Sequence, residues 1–311
     1  MASSEISRVR ERFKSRKRLN EIYDEAINAY LIHYSCESFY APDGQSPLAN
    51  STRVTSIAVR NLKSGQTKTW SIHKSAELCS QLDNLTAMIT ANAPLASQPQ
   101  DLGAAEATST AQVSEILSPL EFDMLKGYFS FLENHTDSTF VHWNMRDDNY
   151  GFSALEHRFR VLKGVPVILQ DNKKFDLARE LITLYGKRYA SHTSPSGRKG
   201  RLMTVIELNK ISDTDALQGA EEAAAFVNGE FIKLQQSTLR KADVLSNVFD
   251  RAHDKSLKTN ASFMDKYGIH PVALLEIARN NPVVTALIFL GGVLTAIVRY
   301  KESILSIASW F

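Results

Sequence analysis

An α/β body with a mixed sheet flanked by helices, followed by one C-terminal transmembrane helix, is what the sequence predicts, and three observations predict it. Residues 31–73 hold three short segments of strand character separated by turn residues. Residues 115–252 interleave helical periodicity with a further strand-like run, and residues 282–298 (PVVTALIFLGGVLTAIV) are 17 residues without a charge. Alternation with period two marks half-buried strands, a repeat of three to four marks amphipathic helices, and a long uncharged apolar run marks a membrane span.

The elements follow in order. In residues 8–18 (RVRERFKSRKR), seven of eleven are Lys or Arg. This cationic helix suits phosphates of a nucleic acid or an anionic leaflet, and equally suits the solvated half of a helix that packs through Ile22, Ala26, Ala29 and Tyr30. Residues 31–39 read as a first strand. Residues 53–62 alternate apolar and polar side chains, Lys63-Ser64-Gly65-Gln66 supplies a turn, and residues 67–73 return, which together make an antiparallel three-stranded meander. Residues 75–89 read as a helix. Residues 90–114, rich in Ala, Ser, Thr, Pro and Gln, read as a flexible linker or insertion. Ser118-Pro119-Leu120-Glu121 has the form of a capping box opening a helix through Leu132, and residues 138–143 form a short strand. Residues 173–189 form an amphipathic helix ended by Gly186. A basic loop follows at residues 191–201, then helices at 204–209 and 216–234. Residues 239–252 make a packing or dimer helix, with Arg240 and Lys241 read as surface residues.

The division into parts is therefore a basic N-terminal helix (1–30), a body (31–252), a juxtamembrane segment (253–281) and a membrane helix with a short interfacial tail (282–311). A hydrocarbon core of about 30 Å takes about 20 helical residues, with about 17 as the lower bound. Ile304, Ile307, Ala308 and Phe311 in the tail fall at helical spacing, as an interfacial helix would have them. With no comparable run upstream, the expectation is a single-pass protein of the inner (cytoplasmic) membrane with its body in the cytoplasm. Two cysteines, Cys36 and Cys79, give no disulfide framework, and a net charge of +2 gives no strong global field. A phosphate loop, a dinucleotide fingerprint, a zinc pattern and a nucleophile elbow are all missing, which disfavours nucleotide hydrolysis, dinucleotide redox chemistry and zinc binding.

Chemistry concentrates at residues 142–158 (HWNMRDDNYGFSALEHR), where a strand runs into polar residues and then an amphipathic helix. The carboxyl ends of strands in open α/β sheets are where sites gather. Asp147 and Asp148, beside Asn144, His142 and His157, are residue types that hold a hard divalent cation or position a water; capping of the next helix by Asp148 or Asn149 is the alternative.

Taken with Ser35-Cys36-Glu37 in the first strand, with Asn144 and Asp148 four apart after a short strand, and with Glu221-Glu222 on a late helix, this order resembles the ribonuclease H-like fold of the DEDD-type 3′–5′ exonucleases. Order and spacing over residues 30–240 carry the resemblance more than identity does. The family's first motif is D-x-E, and Ser35 stands here in place of its Asp; no His or Tyr stands four or five residues before Glu222. The resemblance implies a ribonuclease H-like mixed sheet and Mg²⁺ or Mn²⁺ as cofactor. It implies Glu37, Asp148 and Glu222 as metal ligands, the same residues with His157 as the catalytic set, and Asp147, Asp213, Asp215 or His157 as substitutes for the missing ligands. Asn144, Arg146, Arg198, Lys199 and Arg201 are the nucleic-acid-binding candidates. Two functions follow: a membrane-anchored exonuclease acting on DNA or RNA as a metal-dependent hydrolase, or a catalytically inactive membrane-anchored sensor or effector, for example in bacterial antiviral defence. The second acts through a protein partner or homo-oligomerisation and its transmembrane helix, where Gly291-Gly292 offers a close-packing point.

Overall fold

The computed structural model describes residues 2–36, 52–83, 87, 103–146, 149–262, 265 and 282–300. Among these, β1 (Ala29–Cys36), β2 (Val54–Asn61), β3 (Thr67–Ser71), β4 (Thr139–His142) and β5 (Lys174–Asp176) form a mixed sheet in the order β3-β2-β1-β4-β5. β1, β2 and β3 are the antiparallel meander. β4 and β5 add to the other side of β1 in parallel, with Leu31 level with Val141 and His142 level with Asp176. The carboxyl ends of β1, β4 and β5 therefore lie at one end of the sheet.

Alternation along β1 divides the core. Leu31 belongs to one cluster with Ala58, Val141, Phe175, Val244, Leu245, Val248 and Phe249, while Ile32 and Tyr34 belong to another with Leu125, Tyr128, Phe129 and Leu155. The first cluster is covered by the helices α1 (Ala2–Asp24), α5 (Leu177–Tyr185), α6 (Arg201–Asn209) and α8 (Phe231–His253). The second is covered by α2 (Ile72–Leu78), α3 (Gly103–Glu133) and α4 (Phe152–Val161). A short α7 (Gly219–Val227) precedes α8.

Several elements depart from expectation. The helix predicted from residue 173 begins only at Leu177, because Lys174–Asp176 pairs with β4 as an edge strand. Three residues are too few for a period of two to register. Asp176 then caps α5, accepting from the N–H groups of Ala178 and Arg179. The helix predicted at 216–234 is broken by Gly229, whose φ of +71° separates α7 from α8. The helix predicted to open at Ser118 instead runs from Gly103 with Pro119 inside it. Glu121 closes no capping box. It is fully buried, accepting from Val54 N at 2.8 Å and from Arg158 Nε at 2.8 Å and Nη2 at 2.6 Å, with Arg53 Nε at 3.5 Å. This clamp joins α3 to β2 and α4.

At the C-terminus, α9 (Pro282–Arg299) is 18 residues long, and its described apolar side chains Val283, Leu287, Phe289, Leu290, Leu294 and Val298 are exposed. Among the described residues no helix is long and apolar enough to cross a membrane. The expected interfacial tail and residues 88–102 of the expected helix and linker lie outside the described residues.

Candidate functional site

Ser35, at the carboxyl end of β1, points to the α8 side of the sheet and is buried. Ser237 and Thr238 stand four and three residues before Lys241 on α8 and so lie with it on the helix face turned to Ser35. α7 delivers Glu222 to the same point. Glu222 Oε1 accepts from Ser35 Oγ at 2.9 Å and from Ser237 Oγ at 2.9 Å, and lies 2.7 Å from Lys241 Nζ. Behind them, Thr238 Oγ1 is 2.8 Å from Ser35 Oγ and 2.5 Å from Ser56 Oγ on β2. The ion pair is largely enclosed, with side-chain exposures of 8% for Lys241 and 12% for Glu222.

The position of α7 has local causes. Gln218 and Glu221 form a reciprocal capping box at its start. The Leu217 N–H donates to Ser237 Oγ at 3.0 Å, so one hydroxyl fixes both the approach of α7 and the carboxylate it carries. His33, two residues before Ser35 on the same face, has its pKa held well below the usual value by burial, and secondarily by the charge of Lys241. Tyr150 Oη lies 3.5 Å from His33 Nδ1 and donates to Tyr34 O at 3.0 Å, so the segment after β4 closes over the end of β1.

A second polar cluster stands at the ends of β4 and β5. His142 is buried, its Nδ1 accepts from Met145 N at 3.1 Å, and burial pushes its pKa down to about 4. Asp176 opposes this, while Arg146 and Lys174 add to it. Asp176 accepts from Asn144 N at 3.1 Å and is ion-paired with Arg146, whose guanidinium also donates to Asn144 Oδ1 at 3.0 Å. Asn144 holds a φ of +55°.

Of the predicted residues, Glu222 is brought to Ser35 at the strand end. Glu37, Asp147 and Asp148 lie outside the described residues. His157 stands on the exposed side of α4, whose other side buries Phe152, Leu155 and Phe159. Asn144 and Arg146 are joined to Asp176. In the basic loop, Arg198 pairs with Asp213 at 2.5 Å and Arg201 lies over the Tyr189 ring at 5.9 Å. Lys199 donates its backbone N–H to the Gln218 side chain at 3.4 Å, which docks the loop against the start of α7. Arg240 pairs with Asp215 at 3.4 Å. In the N-terminal helix, Arg16 donates to Ala252 O at 2.5 Å, and Arg18 donates to Asn172 O and Lys174 O at 3.0 Å each. Those two cations pack the body; Arg8, Arg10, Lys14 and Lys17 remain on the surface.

Lys241 corrects the sequence reading, which places it at the surface. The signal was present: residues 234, 238, 241, 245 and 248 form one helical stripe, and Lys241 is its charged member. Asp176 was missed because the strand carrying it was read as helix. Among the described residues, no group of three or more His, Cys, Asp or Glu is placed to hold a metal ion. With an ammonium on Glu222 and neutral hydroxyls around it, these side chains do not fit Mg²⁺ or Mn²⁺. Compared with known proteins, the chain matches no family model, no curated protein and no solved structure.

Proposed function

We propose that this chain is a membrane-anchored, exonuclease-like protein that engages nucleic acid at its carboxylate site without cutting it, as a sensor or effector. The observation that carries the reading is the neutralised carboxylate: Glu222 meets Ser35 at the end of β1 and is paired there with Lys241 at 2.7 Å. Two-metal phosphodiester chemistry needs several carboxylates sharing cations around the scissile bond. Here the position of the family's first Asp is a hydroxyl, and the carboxylate beside it is satisfied by a side chain.

A meander with two parallel strands beyond β1 is the arrangement that the ribonuclease H-like resemblance implies, and it supports placing the site at this end of the sheet. The basic loop supports nucleic acid as the partner, since its docking on Gln218 sets the exposed Lys199 beside the helix that carries Glu222. The anchor rests on the sequence alone, on the uncharged run from Pro282 to Val298.

The test is retention of end-labelled single- and double-stranded DNA and RNA by the full chain in detergent, in EDTA and in Mg²⁺, over a salt series. Retention of at least one substrate with its label intact is expected, with affinity falling as salt rises. Lys199→Ala should lower the slope of log affinity against log salt by about 1. Retention of none of the four substrates would overturn the reading.

A further inference from the structure

We infer that the Lys241 ammonium is the resident cation of the Glu222 site, filling the place of a divalent metal, so that the site takes up such an ion only when Lys241 is removed. This deepens the exonuclease-like reading of the site and rests on it.

The geometry argues by exclusion. An ammonium hydrogen-bonded to a carboxylate stands about 2.7–2.9 Å away, and Lys241 Nζ is 2.7 Å from Glu222 Oε1. A magnesium ion on the same lone pairs would sit at about 2.0–2.1 Å. It would lie inside the volume of the ammonium and against its charge, so the two exclude each other. Among the described residues, Oε1 also meets Ser35 Oγ and Ser237 Oγ, each at 2.9 Å, with Thr238 Oγ1 behind Ser35. Hard oxygen donors of that kind suit Mg²⁺ or Mn²⁺ once the competing positive charge is gone.

The enclosure separates this pair from an ordinary surface bridge. Lys14–Glu11 joins side chains that are 74% and 57% exposed, and water replaces either partner at little cost. Lys241 threads its stem along the inward face of α8 and arrives at Glu222 with 8% of its side chain exposed. An apolar residue at 241 would leave a largely enclosed carboxylate without a counter-charge. The neutral His33 on the same strand face adds no competing positive charge.

The test titrates the full chain in detergent with MnCl₂ and follows the six-line electron paramagnetic resonance signal of the free ion. The reference is Glu222→Gln/Lys241→Met, in which both charges are removed together. Wild type is expected to leave as much free Mn²⁺ as the reference does. Lys241→Ala is expected to take up one additional ion per chain, and Lys241→Ala/Glu222→Gln to lose it. Melting curves establish that each variant is folded, and Lys241→Ser serves if Lys241→Ala is not. Additional uptake by wild type over the reference would overturn the assignment even if neither variant at 241 folds. A folded Lys241→Ala with no additional uptake would also overturn it, since an ordinary salt bridge leaves only a destabilised protein. Gel retention on the same samples keeps the two proposals apart: a wild type that binds neither Mn²⁺ nor nucleic acid sinks the nucleic-acid reading and supports the cation assignment.

Discussion

Glu121 and Glu222 are each paired with a cation inside this fold, and the two pairs are built differently. Glu121 is wholly enclosed at the junction of α3, β2 and α4, gripped by the forked guanidinium of Arg158 and by a backbone N–H, with Arg53 beside it. Glu222 lies at the open end of the sheet, with one ammonium and two hydroxyls on a single oxygen. A fork matched to both carboxylate oxygens fixes orientation and holds secondary structure together. A point charge among hydroxyls holds a place without imposing a direction, as a cation site does. The first centre is a joint between elements, and the second is the candidate site.

The largest expected effect tests the joint. Glu121→Ala leaves Arg158 buried without its carboxylate and should cost about 3–5 kcal/mol, read from the urea midpoint. A loss below about 1 kcal/mol would erase the distinction between the centres.

Next is the acid response of the open end, where His142 is buried and His33 half-buried. The His142 pKa falls from 6.5 in the unfolded chain to about 4 in the fold, so its proton binds the unfolded state preferentially. Stability is then full above about pH 6.5 and falls as pH drops toward about 4, by on the order of 3 kcal/mol. His33, also lowered, acts with the same sign. Protonation also removes the acceptor that His142 Nδ1 offers to Met145 N. Urea midpoints at pH 7.5 and 5.0 measure the loss, and His142→Asn should flatten it; an unchanged pH dependence in that variant would assign the acid sensitivity elsewhere.

A smaller effect sharpens the second centre. Glu222→Gln and Lys241→Met should each destabilise, and the double variant should cost less than their sum by about 1–3 kcal/mol. Simple additivity would show that the two charges do not see each other. Smallest is Asp176→Ala, expected to cost about 1–2 kcal/mol through loss of the α5 cap and the Arg146 pair. Thermal melting reads it, and a neutral outcome would reduce the second polar cluster to surface.

The meander was legible in the sequence because the run from Val54 to Val59, rich in β-branched residues, has strand character and Lys63 to Gln66 carries turn chemistry. The meeting of Glu222 with the Ser35 strand was legible only through motif order, since 187 residues separate them and no local pattern encodes the contact. β5 was not legible: three residues joined to a helical stripe look like more helix, and only pairing with β4 makes them a strand. Lys241 was misread because a charged residue on a helix is ordinarily solvated; here a carboxylate on another helix reaches it. Glu121 looked like a cap because Ser118 stands three residues before it, while its real partners lie on β2 and α4.

At the end of β1 the Glu222 carboxylate is paired with the Lys241 ammonium. The most direct measurement is the affinity of the full chain for its best end-labelled substrate in EDTA and in Mn²⁺ at one salt concentration, with label release followed in parallel. Equal affinities and intact label are predicted. Mn²⁺-dependent release of label that Glu222→Gln abolishes would contradict the account and make this site a working nuclease.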